Sequence, residues 1–345
     1  MGKVLCFGEL LLRLSPAVTG EWIQQQSMPV FVGGAELNVA QALACWEVPV
    51  SYLSAIPSHL LSEQIVTHLK QKNIDTSVMQ YRGDRIGTYY LPVGSELKNA
   101  GVIYDRAHSS FAELEPGMID WDKAFEGITW FHFSAICPAL TQKVADVCEE
   151  ALRAATAKGI TISVDLNFRS KLWKYGVSSA DVMPKLVQYC HLVMGNVWAA
   201  NTMLNVPIDH TLHERKDKKA YLEQSHKTSV YIKEQFPACR AVANTFRFDE
   251  SLTGVNYYTT LFESDQIHVS EEYRTTHVID KVGSGDCFMA GLIYGYHSEM
   301  SRQDTLNFAT AAAYEKLFIT GDATNRTVAQ VNAAIKKYGK ESANS

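Results

Sequence analysis

The sequence predicts an α/β domain in which helical layers cover both faces of a mainly parallel sheet. The first observation is a set of short apolar runs suited to buried strands, at Val4–Phe7, Val50–Ile56, Ile128–Phe133, Ile160–Asp165 and Leu192–Met194. The second is that amphipathic helical patterns follow several of them, at Glu36–Trp46, Leu60–Lys70, Gln142–Ala157 and Lys218–Gln235. Strands alternating with helices build βαβ units, so the strands lie parallel and the helices cover the sheet. The third is length: 345 residues, at roughly 150 per domain, suit one large domain or one with a small appendage. Residues 1–340 are assigned to it. Helical patterns continue at Gly285–His297, Arg302–Phe318 and Thr327–Tyr338.

One region breaks the alternation. Val78–Arg82, Ile86–Val93 and Val102–Asp105 read as short strands joined by Gly83-Asp84 and Gly94–Gly101, and Glu21–Val32 offers another. The expectation is a small antiparallel sheet, formed by about residues 12–32 and 78–107. Such an insert is either a plain hairpin or a lid over a site.

Composition narrows the function. The chain is 46% hydrophobic and 20% charged, with a net charge of -5. A general nucleic-acid binder would carry a basic face, so no nucleic-acid partner is expected. The seven cysteines, Cys6, Cys45, Cys137, Cys148, Cys190, Cys239 and Cys287, contain no CxxC pair. They therefore suggest neither zinc nor a redox motif, and point to a reducing compartment. The N-terminus runs directly into a strand pattern, and no apolar run reaches the ~18 residues of a membrane span. A cytoplasmic protein with no membrane partner is expected. The charged stretch Glu214–Lys219 reads as a solvated helix start.

The chemistry concentrates at Val278–Asp286, just before the apolar helical run Cys287–Tyr296. Gly283 and Gly285 flank Ser284, so backbone amides can converge with no bulky side chain in the way. A helix N-terminus adds partial positive charge. The result suits a transferring phosphoryl group, and Asp286 beside it can take a proton from an attacking hydroxyl. Alone, the segment also fits a turn with an acidic helix start. There is no GxxxxGK[ST] and no GxGxxG after the first strand, so neither a P-loop nor a dinucleotide-binding fold is indicated.

Asp280-Lys281-Val282-Gly283-Ser284-Gly285-Asp286 resembles the D-T-x-G-A-G-D signature of the ribokinase/PfkB carbohydrate kinases, with Lys281 and Ser284 as variants. Val32-Gly33-Gly34-Ala35-Glu36-Leu37-Asn38 resembles that family's N-terminal Gly-Gly segment, which lies against the sugar. Three features resemble the 2-keto-3-deoxygluconate kinase branch: Gly33–Asn38 itself, Asp165–Arg169 with Lys171–Trp173 (a stretch also similar to that of some fructokinases), and Gly321–Asn325.

The resemblance implies a three-layer ribokinase-like fold whose insert covers the sugar and pairs subunits into a homo-oligomer. It also implies ATP and Mg2+ as cofactors. The implied reaction moves a phosphoryl group from ATP to a primary hydroxyl of a sugar acid. Implied sugar contacts are Gly33, Gly34, Glu36, Asn38, Tyr89, Tyr104, Arg106, Asn167 and Arg169, with Asp286 as base. A planar guanidinium suits a carboxylate, which makes Arg169 the first candidate for it and Arg106 the second. Implied nucleotide contacts are Asn196, Lys281, Gly283, Gly285 and Asn325; no metal ligand is assigned. Two departures stand out. Asn196-Val197-Trp198-Ala199 lacks the Glu of the family's Asn-x-x-Glu, and Val242–Arg247 lacks the glycines of its Thr-x-Gly-x-x-Gly stretch. They bear on ATP affinity and magnesium handling. They keep open a non-catalytic sugar-acid sensor, beside a kinase for a neutral sugar such as fructose or ribose.

Overall fold

The computed structural model describes residues 2–16, 22–24, 26–92, 101–215, 217–251 and 253–342. Ten strands form its main sheet. From one edge the order is Gln266–Val269, Val255–Glu263, Ala241–Asp249, Leu192–Gly195, Thr161–Asp165, Ile128–Ser134, Lys3–Phe7, Val50–Leu53 and Ile74–Asp75. Tyr273–Thr275 also pairs with Val255–Glu263. Neighbours from Ile74–Asp75 through to Ala241–Asp249 are parallel. The pairs beyond that strand are antiparallel.

The period of two along Lys3–Phe7 shows why both faces had to be covered. Val4 and Cys6 pack in one core with helices Ala35–Cys45, Leu60–Gln71, Ser284–His297 and Arg302–Lys316. Leu5 and Phe7 pack in the other, with helices Gln142–Ala157, Ser179–Val187 and Val197–Leu204. This is the expected three-layer α/β arrangement.

The insert differs from its expectation. Its four-stranded sheet has the order Val30–Gly33, Leu11–Leu14, Gly87–Tyr90, Ile103–Asp105. Leu11–Leu14, at the start of the expected insert but outside the runs read as its strands, is a strand that pairs parallel with Gly87–Tyr90, so the sheet is mixed. Val78–Arg82 does not belong to it. The run expected as one strand, Val50–Ile56, divides, and its end Ala55–Ile56 pairs with Gln80–Tyr81 in a separate two-stranded ladder. Of Glu21–Val32, only the end is strand, from Val30; residues 17–21 and 25, like most of the Gly94–Gly101 connection, lie outside the described residues. Among the described residues, no helix is long and apolar enough to cross a membrane.

Candidate active site

Helix Ser284–His297 starts from Gly283, whose φ of 78° is left-handed. A Cβ there would also collide with the Asp322 carbonyl, so the turn needs glycine. The Cys287 amide already bonds back to the Gly283 carbonyl. The amides of Ser284, Gly285 and Asp286 are therefore first-turn donors with no intrahelical acceptor. Two details sharpen the expected anion hole. The Val282 amide donates to Asp280 Oδ1 at 3.1 Å, so it is spent on holding the turn. The Ser284 hydroxyl donates to the Ala313 carbonyl at 3.0 Å, so only the backbone of Ser284 faces the site.

Asp286 lies in that first turn, 9% exposed. Asn38 Nδ2, from helix Ala35–Cys45, donates to its Oδ2 at 2.7 Å. Burial pushes the Asp286 carboxyl up to about 8, with Asp165 and Glu36 pushing the same way and Asn38 and Arg169 opposing. A carboxyl near neutrality that lies beside spare amides is poised for proton transfer.

A cleft of about 830 Å³ opens around Asp286. One end is lined by Gly34, Asn38, Tyr89, Tyr104, Arg106, Asn167 and Arg169. The ladder register aligns Arg13, Phe31, Tyr89 and Tyr104 on one face of the four-stranded sheet. Tyr89 donates to Asp322 Oδ2 at 2.8 Å, and its ring centroid lies 6.4 Å from that of Tyr104. The two arginines are not equivalent. Arg106 is buried and paired with Glu9, at 2.6 Å from Nε and 2.5 Å from Nη2. Among the described residues Arg169 forms no ion pair; its Nη1 donates to the Phe168 carbonyl at 3.2 Å. Arg169 is thus the arginine at this end that is not held in a salt bridge, although it stands close enough to Asp286 to oppose the rise of its carboxyl.

Away from that end the cleft is lined by Tyr221, Phe246, Phe248, Tyr258 and Lys281, while Asn196 and Trp198 also border a smaller pocket with Tyr104 and Arg169. Lys281 Nζ pairs with Asp249 at 2.9 Å. Asn196 caps helix Val197–Leu204, accepting from the Ala199 amide at 2.8 Å. The expected glycine-rich stretch is a long hairpin here, Ala241–Asp249 with Val255–Glu263, and aromatic side chains occupy the space it borders. Among the described residues there is no cluster of three acidic, His or Cys side chains suited to a metal. Magnesium bound with a nucleotide takes most of its ligands from phosphates and water, with one or two from the protein, so such a cage is not required. A cleft with spare amides at its middle and an aromatic far end fits a nucleotide with its phosphates at Gly283–Asp286.

Three predicted contacts are placed elsewhere. Gly33 faces Asp322, whose carboxylate a Cβ at that position would meet. Glu36 is buried behind the site and accepts from the Ser134 amide at 2.9 Å. Asn325 is exposed and does not line the cleft, because the chain turns away after Thr324 and the Arg326 carbonyl is tied to Trp46 Nε1 at 2.9 Å. Sequence reasoning missed the buried cluster behind the anion hole. Arg13 Nη2 lies 2.7 Å from Asp280 Oδ2, and Arg13 Nε lies 2.8 Å from Asp322 Oδ1 without hydrogen-bond alignment. Only long-range contact reveals such a group.

The family model described as pfkB family carbohydrate kinase matches residues 1–327. The chain belongs to the PfkB family of carbohydrate kinases. Among PfkB-type structures, it is similar to a 2-dehydro-3-deoxygluconokinase from Thermotoga maritima, with TM-score 0.88 and 32% identity over 97% of this chain and 100% of that one. A 2-dehydro-3-deoxygalactonokinase from Haloferax volcanii is 26% identical over 97% of this chain and 96% of its own. The fold is shared more widely: a fructokinase from Xylella fastidiosa with bound ATP aligns at TM-score 0.74 and 18% identity, covering 98% and 99% of the two chains.

Proposed function

We propose that this PfkB kinase phosphorylates the primary hydroxyl of 2-keto-3-deoxygluconate, giving the 6-phosphate, with ATP and Mg2+. The observation that carries the sugar-acid reading is Arg169: a cleft-lining guanidinium that forms no salt bridge among the described residues, at the Tyr89–Tyr104 end. A neutral sugar gives such a charge nothing to pair with, whereas a carboxylate can take two parallel hydrogen bonds from it. The names of the relatives from T. maritima and H. volcanii point the same way.

In this reading Asn38 orients the Asp286 carboxylate, which takes the hydroxyl proton as the oxygen attacks. The amides of Ser284, Gly285 and Asp286 receive the oxygens of the moving phosphoryl group. Lys281 and Asn196 face the nucleotide. Mg2+ would neutralise phosphate charge when bound with the nucleotide. Tyr89, Tyr104 and Arg106 bring the inner face of the four-stranded sheet over the sugar and keep water from the transfer, which makes that sheet a lid.

ADP release over a panel tests the substrate. We expect kcat/KM for 2-keto-3-deoxy sugar acids to exceed that for fructose and ribose by at least about tenfold, the lower bound for one charge-assisted pair. Preference for a neutral sugar overturns the acid reading. Binding of sugar acids without ADP release with any nucleotide replaces the kinase by a sensor.

A further inference from the structure

Behind the anion hole lies a buried ammonium that the proposed reaction has not used. Lys316, at the end of helix Arg302–Lys316, is 0% exposed. Its Nζ donates to the Ile319 carbonyl at 3.0 Å, and among the described residues it makes no ion pair with a carboxylate. Burying a lysine with one acceptor for three donors is costly. Its position suggests what offsets that cost. Lys316 Cε lies 3.5 Å from where a side chain on Gly283 would begin, so the chain passes directly under the first glycine of the phosphoryl site. The surrounding framework is hydrogen-bonded together. Asp280 accepts from the Val282 amide at 3.1 Å and from the Gly321 amide at 3.2 Å, clamping the turn to the segment that carries Asp322. Arg13 and Lys316 then stand against Asp280 and Asp322, two charges of each sign. Burial pulls the Lys316 ammonium down and the two carboxylates pull it back up.

We infer that Lys316 is a positioning residue for phosphoryl transfer, holding a fixed positive charge behind the Ser284–Asp286 amides that stabilises charge on the moving group. This rests on the kinase reading above. The charge acts through the amides and touches neither substrate. A field fixed in a water-poor site strengthens as charge shifts in the transition state and needs no reorganisation. It should therefore show in kcat more than in the sugar KM.

The test separates charge from folding. Lys316→Met alone leaves the carboxylates in excess, so it is paired with Asp322→Asn. An asparagine can keep its oxygen beside Arg13 and donate from its Nδ2 to the Tyr89 hydroxyl, and the double variant keeps one buried charge of each sign. We expect it to melt within a few degrees of the wild type. Its kcat should be about ten- to a hundred-fold below that of Asp322→Asn alone, because a charge behind the donors acts less than a lost donor. The sugar KM should stay within about twofold, and calorimetric ADP affinity should fall several-fold. A folded double variant with kcat within twofold of Asp322→Asn overturns the inference, and so does a double variant that fails to fold, since the lysine would then be a packing element. Wild-type turnover in the same assay distinguishes these outcomes from failure of the kinase reading, which would overturn both.

Discussion

Asp286→Asn lowers kcat by about a hundred- to ten-thousand-fold, the usual loss when a general base is removed. The protein stays folded and still binds sugar and nucleotide. The amide can accept from Asn38 Nδ2 as the carboxylate does at 2.7 Å, so the local hydrogen bond survives while the base is lost. The pH dependence carries a second signature. With the Asp286 carboxyl at about 8 in the free protein, its basic form declines below that pH. The kcat/KM of the wild type should therefore fall about tenfold per pH unit on the acid side. The sign for stability is opposite. The folded carboxyl holds its proton from its ordinary 3.8 up to about 8, and the unfolded one does not. Stability from this group is present at low pH and lost as pH rises through that window. Asn removes the loss, so the variant should melt higher than wild type at pH 8, with the gap closing near pH 4. A variant keeping more than about a tenth of wild-type kcat would send the proton elsewhere.

Arg169→Ala lowers kcat/KM for the sugar acid by about ten- to a hundred-fold, the loss of roughly 1.5–3 kcal/mol from one charge-assisted pair. Arg169→Lys recovers little, because an ammonium cannot make two parallel bonds to a carboxylate. Any neutral sugar that reacts should lose far less. Stability should change little, since among the described residues Arg169 forms no salt bridge to break. Arg106 differs here: its removal strands the buried Glu9, so loss of activity there would mix binding with folding. Equal losses on acidic and neutral sugars would make Arg169 structural.

The core of this fold was legible because its signals are local. Val4–Phe7 and Leu192–Met194 are apolar throughout and Ile160–Asp165 alternates Ile, Ile and Val with Thr, Ser and Asp; such runs suit strands covered on both faces, and all three lie in the main sheet. Gly283–Asp286, which alone also fits a plain turn with an acidic helix start, was legible because Gly33–Asn38 stands with it in the order of one family. The insert was harder. Leu11–Leu14 carries Arg13 among leucines, which reads as a surface charge until Asp280, 267 residues away, closes on it. Val78–Arg82 has the composition of an insert strand, yet its partner is Ala55–Ile56, set by the end of the preceding strand rather than by its own residues. Glu36 shares a motif with Asn38, but helix periodicity turns the two side chains apart. Lys316 ends a helix like many surface lysines; only its burial sets it apart.

The most direct test of the central claim is phosphorus NMR of the product formed by the wild-type protein from 2-keto-3-deoxygluconate and MgATP. The proposed site predicts ADP and one new phosphate monoester in equal amounts, its phosphorus coupled to the two C6 methylene protons. A monoester coupled to a single ring proton, or inorganic phosphate with unmodified sugar acid, would contradict it.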